Sequence, residues 1–217
     1  MIIRVIGDTH GYYGRYKKII KKGGFDKSVC VGDMGVGFRR SNGNFYTNPP
    51  YDTMVKTNSF YIRGNHDNPN VCKKHTQWIP DGHYENNMMF IGGAKSIDRH
   101  HRTEDYDWWP DEECSYNQFY KFMDDYESLK PKIMVTHDCP LRIAALIQKS
   151  HHAYDKSITQ QALQAMFELD HKPELWLFGH HHISTDIEVD GTRFICLNEL
   201  EYIDIEINEN NIQVIKH

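Results

Sequence analysis

The sequence lacks the cysteine patterns that stabilise many small secreted proteins or hold structural zinc. Its five cysteines are scattered, odd in number and without a C-x-x-C pair, which argues against a disulfide framework and against a zinc site built from thiolates. Free cysteines persist in a reducing compartment, and we therefore predict a cytoplasmic protein.

Long apolar runs and an excess of positive charge are missing as well. The N-terminal segment MIIRVIGD is interrupted by Arg4 and is too short for a signal peptide or a membrane span. With a formal net charge of -5, the chain has no global positive field that would hold bulk nucleic acid. We therefore expect neither a membrane nor bulk nucleic acid as a partner, and an anionic substrate would need a local site.

What the sequence does contain is typical of one folded unit with many histidines. Its 217 residues are 39% hydrophobic and 25% charged, which predicts a single domain over residues 1–217. There are 14 histidines, and several stand in tight clusters. Clustered histidines favour metal binding, because neutral imidazole is the commonest metal ligand in proteins.

Short β-rich runs alternate with helical stretches, which predicts an α/β protein. Strands are predicted at Ile2–Ile6, Ser28–Val31, Ser59–Ile62, Met88–Ile91, Lys132–Val135 and Glu174–Phe178. Helices are predicted at Tyr12–Lys22, Ser115–Tyr126, Leu141–Gln148 and Ile158–Phe167. An antiparallel meander is predicted from Ser184–Val189, Arg193–Leu197, Tyr202–Ile207 and Asn211–Ile215. Residues 38–50 and 94–112 are predicted to be irregular.

Five of the predicted strands end in turns that carry metal-ligand side chains. These turns are Gly7–Gly11, Gly32–Gly35, Gly64–Asp67, Thr136–Asp138 and Gly179–His182. The carboxyl ends of strands in α/β sheets form the crevice where ligands bind, so side chains far apart in the sequence can converge there. The turns supply Asp8, His10, Asp33, Asn65, His66, His137, His180 and His182.

This inventory suits two divalent ions. Two ions about 3.5–4 Å apart need roughly four protein ligands each and at least one bridging carboxylate. Mixed carboxylate, imidazole and amide ligands suit Mn, Fe, Zn, Ni or Mg better than they suit thiolate-seeking metals or calcium. We therefore predict two divalent metal ions as cofactors, with Mn favoured among them.

In their order along the chain, the motifs D-x-H, G-D, G-N-H-D, a lone histidine and G-H-x-H resemble the calcineurin-like metallophosphoesterase family. The resemblance extends from Met1 to about Leu197. It implies the family fold, a four-layer α/β/β/α sandwich of two mixed β-sheets flanked by helices. It also implies a metal cage in which Asp33 bridges two ions, one bound by Asp8, His10 and His182 and the other by Asn65, His137 and His180.

The same resemblance implies hydrolysis of phosphomonoesters or phosphodiesters, in which a hydroxide that bridges the two metals attacks phosphorus. His66 would be a general acid rather than a ligand, with Asp67 orienting it. Metals lower the pKa of bound water and neutralise charge on the phosphoryl oxygens, so the reaction requires no nucleophilic side chain.

Arg63 precedes Gly64-Asn65-His66 as in the R-G-N-H-E segment of Ser/Thr protein phosphatases, where the arginine binds phosphate. An arginine packed beside the sheet is the structural alternative. The sequence departs from the G-D-x-x-D-R-G pattern of those enzymes, because Asp33 is followed by Met34-Gly35-Val36-Gly37-Phe38. A Ser/Thr-type phosphoprotein phosphatase is therefore an alternative function.

The segment Gly92–Arg102, followed by Trp108-Trp109-Pro110 and Glu112-Glu113, resembles a subgroup of bacterial and phage-encoded phosphoesterases. It offers cations for phosphate and aromatic faces on which a nucleobase or sugar could stack. We predict that Arg99 or Arg102 contacts the substrate. A phage-encoded protein of this kind would act in the host cytoplasm. The alternative is a loop held to the body of the protein by its tryptophans.

Two alternatives to a hydrolase stay open. One is a catalytically inactive metal-binding scaffold that keeps the fold for partner binding, although here every ligand position is filled. The other is a structural zinc protein, although such sites usually close around four ligands, often cysteine. Among the other histidines, His181 is expected to point away from its neighbouring ligands. The pairs His100-His101 and His151-His152 are expected to be solvated loop residues, and a position beside the pocket is the alternative for either pair.

Overall fold

The computed structural model describes residues 1–39, 48–148, 157–208 and 211–216. Within these ranges the strands are β1 (Ile2–Ile6), β2 (Lys27–Cys30), β3 (Ser59–Tyr61), β4 (His83–Glu85), β5 (Met88–Ile91), β6 (Ile133–Thr136), β7 (Leu175–Phe178), β8 (Thr185–Val189), β9 (Thr192–Cys196), β10 (Tyr202–Asn208) and β11 (Asn211–Lys216). The helices are α1 (Tyr13–Ile20), α2 (Tyr51–Lys56), α3 (Pro69–Cys72), α4 (Tyr116–Leu129), α5 (Leu141–Gln148), α6 (Ile158–Glu168) and a 3-10 helix at Arg99–His101. His151, His152 and residues 40–47 of the predicted loop lie outside the described ranges. None of the described helices is long and apolar enough to cross a membrane.

The first sheet places three of the predicted metal-binding turns side by side. Its strands lie in the order β11-β10-β1-β2-β3. Strands β1, β2 and β3 run parallel to one another, whereas β10 and β11 are antiparallel additions at one side. The turns that follow β1, β2 and β3 therefore leave the sheet at the same edge.

The second sheet brings together the other two turns. Its strands lie in the order β4-β5-β6-β7-β9-β8. Strands β5, β6, β7 and β9 are parallel, and β4 and β8 pair antiparallel at the two edges. The turns that follow the neighbouring strands β6 and β7 consequently lie next to each other.

Alternation along the strands sorts apolar side chains into three layers of core. On β7, Leu175 and Leu177 pack into the core between the two sheets, together with Val5 of β1. Trp176 and Phe178 of the same strand face the opposite side, where α4, α5 and α6 cover them. The outer face of the first sheet packs against α1, α2 and α3. The predicted four-layer sandwich of two mixed sheets flanked by helices is thus confirmed.

The predicted antiparallel meander beyond Gly179 is wrong in its strand pairing. Strands β8 and β9 form a hairpin, but β9 then pairs in parallel with β7. Strands β10 and β11 form a second hairpin that belongs to the other sheet, where β10 pairs with β1. Alternating apolar residues predict a half-buried strand but carry no information about which strand lies beside it.

Short elements are absent from the sequence-based prediction. These are α2, α3, β4 and the 3-10 helix, each three to six residues long. Segments of that length contain too few apolar residues to show a period. Only α3 carries a readable signal, because the side chain of Asn68 caps its first turn and Pro69 occupies its first position.

A buried ion pair holds the outer face of the first sheet. Arg4 on β1 places Nε and Nη2 each 2.8 Å from the carboxylate oxygens of Asp204 on β10. Replacing Arg4 with Ala removes the cation beside a buried carboxylate, so we expect the free energy of unfolding to fall by about 3–5 kcal/mol. Urea denaturation measures this loss. In the control Arg142→Ala, which breaks an exposed pair with Asp190, the change should stay below about 1 kcal/mol. Equal losses in the two variants would contradict the prediction.

Candidate metal centre

Turns from both sheets meet at one edge of the sandwich and enclose a cavity of about 390 Å³. Its lining residues are His10, Asp33, Asn65, His66, Ile97, Asp98, Arg102, Gln148, His180, His181 and His182. Two further predicted ligands, Asp8 and His137, are fully buried. All the residues of the predicted metal cage therefore converge on one place, although they are spread over most of the sequence.

The first group of converging ligands consists of Asp8, His10, Asp33 and His182, whose ligand atoms all lie within 4.8 Å of one another. His182 Nε2 is 3.1 Å from Asp8 Oδ2 and 2.9 Å from His10 Nε2. His10 Nε2 is in turn 3.6 Å from Asp33 Oδ2. Imidazole nitrogens and carboxylate oxygens thus point at a common centre.

The second group consists of Asp33, His137 and His180, again within 4.8 Å. Asn65 adds its amide oxygen, which lies 3.1 Å from His137 Nε2. The Nδ1 atom of His137 lies 2.8 Å from the carbonyl oxygen of Val31 and donates to it. In its neutral form this imidazole therefore has its lone pair on Nε2, which faces Asp33 Oδ1 at 3.4 Å.

The two groups fit divalent metal ions. Their donors are carboxylate oxygens, imidazole nitrogens and one amide oxygen, a set that suits divalent first-row metals. In addition, Asp8 Oδ1 is buried without a hydrogen-bond partner. A buried anionic oxygen in that position is costly unless a cation lies beside it.

Backbone strain is concentrated at the same residues. His10, Asp33, His180 and His182 have φ values of 44°, 50°, 63° and 52°, in the left-handed region that residues other than glycine seldom adopt. Such conformations persist only where the surrounding structure enforces them, and they cluster at functional sites. The turns are therefore shaped for the positions of their side chains rather than for minimum backbone energy.

Two glycines permit the close packing of these turns. A Cβ atom on Gly64 would lie 2.0 Å from Asp33 Oδ1, and one on Gly179 would lie 2.1 Å from Asp8 Oδ1. Both distances are far below van der Waals contact. Glycine is therefore required at these positions because ligand atoms occupy the space of a side chain.

At two of the proposed ligands, Asp33 and His180, the electrostatic environment favours the protonation state that binds a cation. Burial acts to raise the pKa of Asp33, but the neighbouring His137 and His66 outweigh it and hold that pKa well below its usual range. Burial lowers the pKa of His180 to about 4. At neutral pH, Asp33 is therefore an anion and His180 a neutral imidazole.

His66 lies at the wall of the cavity between an arginine and an aromatic ring. Its Nε2 atom is 2.8 Å from Arg102 Nη2. Because a guanidinium only donates, Nε2 accepts and the ring is neutral. The Phe38 ring stacks on the imidazole at a centroid distance of 4.6 Å and an angle of 5°. Burial lowers the pKa of His66 to about 4, which agrees with the neutral form.

Asp67 does not orient His66, contrary to the prediction. The carboxylate of Asp67 instead accepts hydrogen bonds from the backbone N–H groups of Met34, Gly35, Val36 and Gly64. The Nδ1 atom of His66 is buried without a hydrogen-bond partner. Asp67 therefore ties the turn after β2 to the turn after β3 and fixes the surroundings of Asp33.

Arg63 also departs from its predicted role in binding phosphate. It is 3% exposed and does not line the cavity of the metal ligands. Its Nε donates to Asp81 at 2.8 Å, and its Nη1 donates to the carbonyl oxygens of Asp111 and Glu112. The guanidinium therefore joins β3 to the following loops, which is the structural alternative.

The two other predicted substrate arginines differ in position. Arg102 lines the cavity and is held there by a 2.8 Å ion pair between its Nε and Asp98. Arg99 is exposed in the 3-10 helix, as are His100 and His101, and it is not among the residues that line the cavity. Of the three predicted substrate arginines, Arg102 alone lines the cavity of the metal ligands.

The residues that orient Asn65 lie outside the ligand motifs. Ser96 Oγ accepts from Asn65 Nδ2 at 3.1 Å and donates to Glu112 at 2.5 Å, and both residues are buried. These bonds turn the amide oxygen of Asn65 toward His137. The only sequence signal for them is the unusual segment around Ser96 and Glu112, which predicts substrate contact. Part of that segment instead positions a ligand, and the buried Trp109 holds it to the body of the protein.

Glu199 is a second residue that the motifs do not reveal. Its carboxylate lies 3.7 Å from His182 Nδ1 and 3.9 Å from His10 Nε2. It stands between β9 and β10, beyond the last metal-binding turn. No local pattern marks it, since only the crossing of the chain from one sheet to the other brings it near the site.

Solved structures with low sequence identity share this fold. A dimetal phosphatase from Danio rerio aligns with a TM-score of 0.57 and 10% identity over 100% of this chain and 98% of that chain. A Staphylococcus aureus protein proposed to be a 5'-nucleotidase gives a TM-score of 0.55 and 11% identity over 99% of this chain. The chain spans about half of that protein, 52%. Plasmodium GAP50, described as the anchor in the inner membrane complex, gives 0.52 and 14% identity over 98% of this chain and 83% of that chain.

The family is shown by the sequence itself. No curated protein matches the chain. The profile of the calcineurin-like phosphoesterases, however, matches residues 1–184, a range that contains every predicted metal ligand. The chain therefore belongs to the calcineurin-like phosphoesterase family.

Proposed function

We propose that the protein is a phosphoesterase that binds two divalent ions, Mn²⁺ foremost, and hydrolyses phosphomonoesters or phosphodiesters. The observation that carries this proposal is the position of Asp33. Its Oδ2 atom faces His10 in the first ligand group, and its Oδ1 atom faces His137 in the second. A carboxylate shared in this way is what a pair of ions about 3.5–4 Å apart requires.

Each ion would be held by one ligand group. Asp8, His10 and His182 would bind the first ion, Asn65, His137 and His180 the second, and Asp33 both. When bound, divalent ions supply Lewis-acid stabilisation of the phosphoryl oxygens and acidify a water molecule for attack. The protein's own residues orient the substrate and handle the remaining proton.

Arg102 is the residue that we assign to the phosphate. Its planar guanidinium matches two phosphoryl oxygens, and it already lies in the cavity beside His66. When Arg102 turns to the phosphate, it releases His66 Nε2. That nitrogen then takes up a proton from solvent water and gives it to the leaving oxygen as the bond from phosphorus to that oxygen breaks, as a general acid does. Burial lowers the pKa of His66 to about 4, so the ring is neutral in the free protein and takes up its proton when the anionic phosphate lies beside it, because a neighbouring negative charge favours the imidazolium.

The alternative function, that of a phosphoprotein phosphatase, has little support. The resemblance to those enzymes rested on Arg63, whose guanidinium is occupied by Asp81 and two backbone carbonyls. The cavity also carries no second arginine among the described residues. The site therefore fits a small-molecule or nucleotide ester better than it fits a phosphoprotein.

Hydrolysis of an aryl phosphate and its diester tests the proposal. We expect turnover that requires Mn²⁺ and disappears with a chelator. His66→Gln should keep its metal but lose about 10²–10⁴-fold in kcat, the usual contribution of general acid catalysis. His171→Gln is the matched control, because His171 bonds to the Pro131 carbonyl away from the cavity. The absence of metal-dependent turnover on a broad panel of phosphate esters would favour an inactive scaffold.

The arginine assignment has its own test. Arg102→Ala should lower kcat/KM by about 10–10²-fold, because a hydrogen bond to a charged group contributes about 1.5–3 kcal/mol. Arg99→Ala, three residues away and exposed, should leave kcat/KM unchanged. Steady-state kinetics on the best ester of the panel measures both variants. An effect of equal size in both would show that the arginines act through general surface charge.

A further inference from the structure

A third group of ligand-type side chains lies beside the metal centre. Asp138, Cys139 and His181 present ligand atoms within 4.8 Å of one another, and neither proposed ion uses them. Asp138 directly follows the ligand His137 in the sequence. His181 stands between two further ligands, and its side chain and that of Asp138 are each 1% exposed.

Hydrogen bonds occupy this group. His181 Nε2 is 3.0 Å from Asp138 Oδ1, so Nε2 carries the hydrogen, because two acceptors at that distance would repel each other. The same oxygen accepts from the Cys139 N–H at 2.8 Å and from Gln160 Nε2 at 3.1 Å. His181 Nδ1 accepts from Gln148 Nε2 at 2.6 Å. The contacts are those of a fixed structural pair rather than of an open cation site.

The pair connects the turns that carry the ligands. Asp138 lies in the turn after β6, and His181 lies in the turn after β7. Through Gln148 at the end of α5 and Gln160 in α6, the same bonds reach the helices that cover the second sheet. As the sequence predicts, the His181 side chain is directed away from the two proposed ions, toward Asp138.

The turn after β7 needs such a connection. Both residues that flank His181, namely His180 and His182, are in the left-handed conformation with φ values of 63° and 52°. A segment with one strained residue on each side of His181 persists only if contacts hold it in place. The side chain of His181 provides the buried contacts between them.

We propose that the Asp138–His181 pair is a positioning element of the metal centre. Its hydrogen bond sets the separation of the turns after β6 and β7 and thereby places His137, His180 and His182. This inference rests on the proposed function, because that proposal makes these histidines ligands. The pair acts mainly on the second ion, since His137 and His180 both belong to the second ligand group.

Calorimetric titration with Mn²⁺, together with elemental analysis of the metal content, tests this role. For the wild-type protein we expect two equivalents of Mn²⁺. In Asp138→Asn and in His181→Ala, we expect the second equivalent to bind about 10–100-fold more weakly, as is usual when a residue that supports a ligand is replaced. The first equivalent should keep most of its affinity. The double variant should be no weaker than either single variant, because the two residues form one interaction.

His171→Ala is the control for removing a hydrogen-bonded histidine, and it should bind both equivalents as the wild type does. If circular dichroism shows that a variant of the pair does not fold, Gln148→Ala, at an exposed residue, tests the same imidazole.

Unchanged Mn²⁺ affinity in the folded variants would overturn the positioning role. Three equivalents in the wild type, with the third lost in Cys139→Ser, would also overturn it and identify a metal site. If the wild type binds fewer than two equivalents, the proposed function itself fails.

Discussion

Replacing Asp33 with Asn is expected to abolish the binding of both metal ions and to lower kcat by at least about 10³-fold, since the Lewis-acid contribution lost amounts to several kcal/mol. Asp33 is the only residue that belongs to both ligand groups found among the described residues. Its oxygens lie 3.6 Å from His10 Nε2 and 3.4 Å from His137 Nε2. An amide of the same shape removes the negative charge and turns an NH₂ group toward one of the two imidazoles.

Elemental analysis of the purified variant and hydrolysis of an aryl phosphate check this expectation together. Asp190→Asn is the matched control, because Asp190 is an exposed partner of Arg142, and it should keep both metal content and rate. An Asp33→Asn protein that retains two ions and the wild-type kcat would contradict the assignment of Asp33 as the bridge.

The second large effect is expected from adding one methyl group. In Gly179→Ala the new Cβ would lie 2.1 Å from Asp8 Oδ1 and 2.8 Å from the Val31 side chain. Asp8 is fully buried, so its carboxylate can avoid the new Cβ only by shifting relative to the other ligands of the first group. A displacement of about 1 Å in a catalytic group costs on the order of 10²-fold in rate. We therefore expect kcat/KM to fall by about that factor, with weaker Mn²⁺ binding.

Gly14→Ala separates this clash from a general effect of glycine replacement. Gly14 lies in α1, where an added Cβ meets no atom within 4 Å. Its variant should have wild-type kcat/KM and a helix that is more stable by up to about 1 kcal/mol. Steady-state kinetics and thermal unfolding measure the pair of variants. If Gly179→Ala were as active as Gly14→Ala, the strand-end turn would not determine the position of Asp8.

The strands that carry the site could be predicted because their signals are local. β1 and β5 begin and end at the predicted residues, Ile2–Ile6 and Met88–Ile91, since each is a short apolar run that ends at a glycine-containing turn. The ligand motifs follow β1 and four other short strands, namely β2, β3, β6 and β7. Parallel neighbours in a sheet present their carboxyl ends at one edge, and this rule is sufficient to expect that the turns converge.

Strand partners could not be predicted, because pairing depends on the whole sandwich. The segment Thr192–Cys196 alternates as expected of a hairpin strand, yet β9 lies between β7 and β8 in the second sheet. The following strand, β10, joins the first sheet. The reason is burial on both faces of each sheet, which is a property of the assembled layers and not of either segment.

The predicted roles of Asp67 and Arg63 differ from their observed contacts, and the reason is related. Both residues flank Asn65 and His66 in the sequence, and adjacency suggested a joint function. Asp67 is instead surrounded by backbone N–H groups from the turn after β2. Arg63 binds Asp81 and two carbonyls that lie 48 and 49 residues further along the chain. Backbone donors and acceptors are the same at every position, so the sequence does not show where they gather.

The most direct test of the central claim is anomalous X-ray diffraction from crystals grown with Mn²⁺. The account predicts two Mn²⁺ ions about 3.5–4 Å apart, with the Asp33 carboxylate between them. Asp8, His10 and His182 should bind one ion, and Asn65, His137 and His180 the other. A single ion at these residues, or an ion held instead by Asp138, Cys139 and His181, would contradict it.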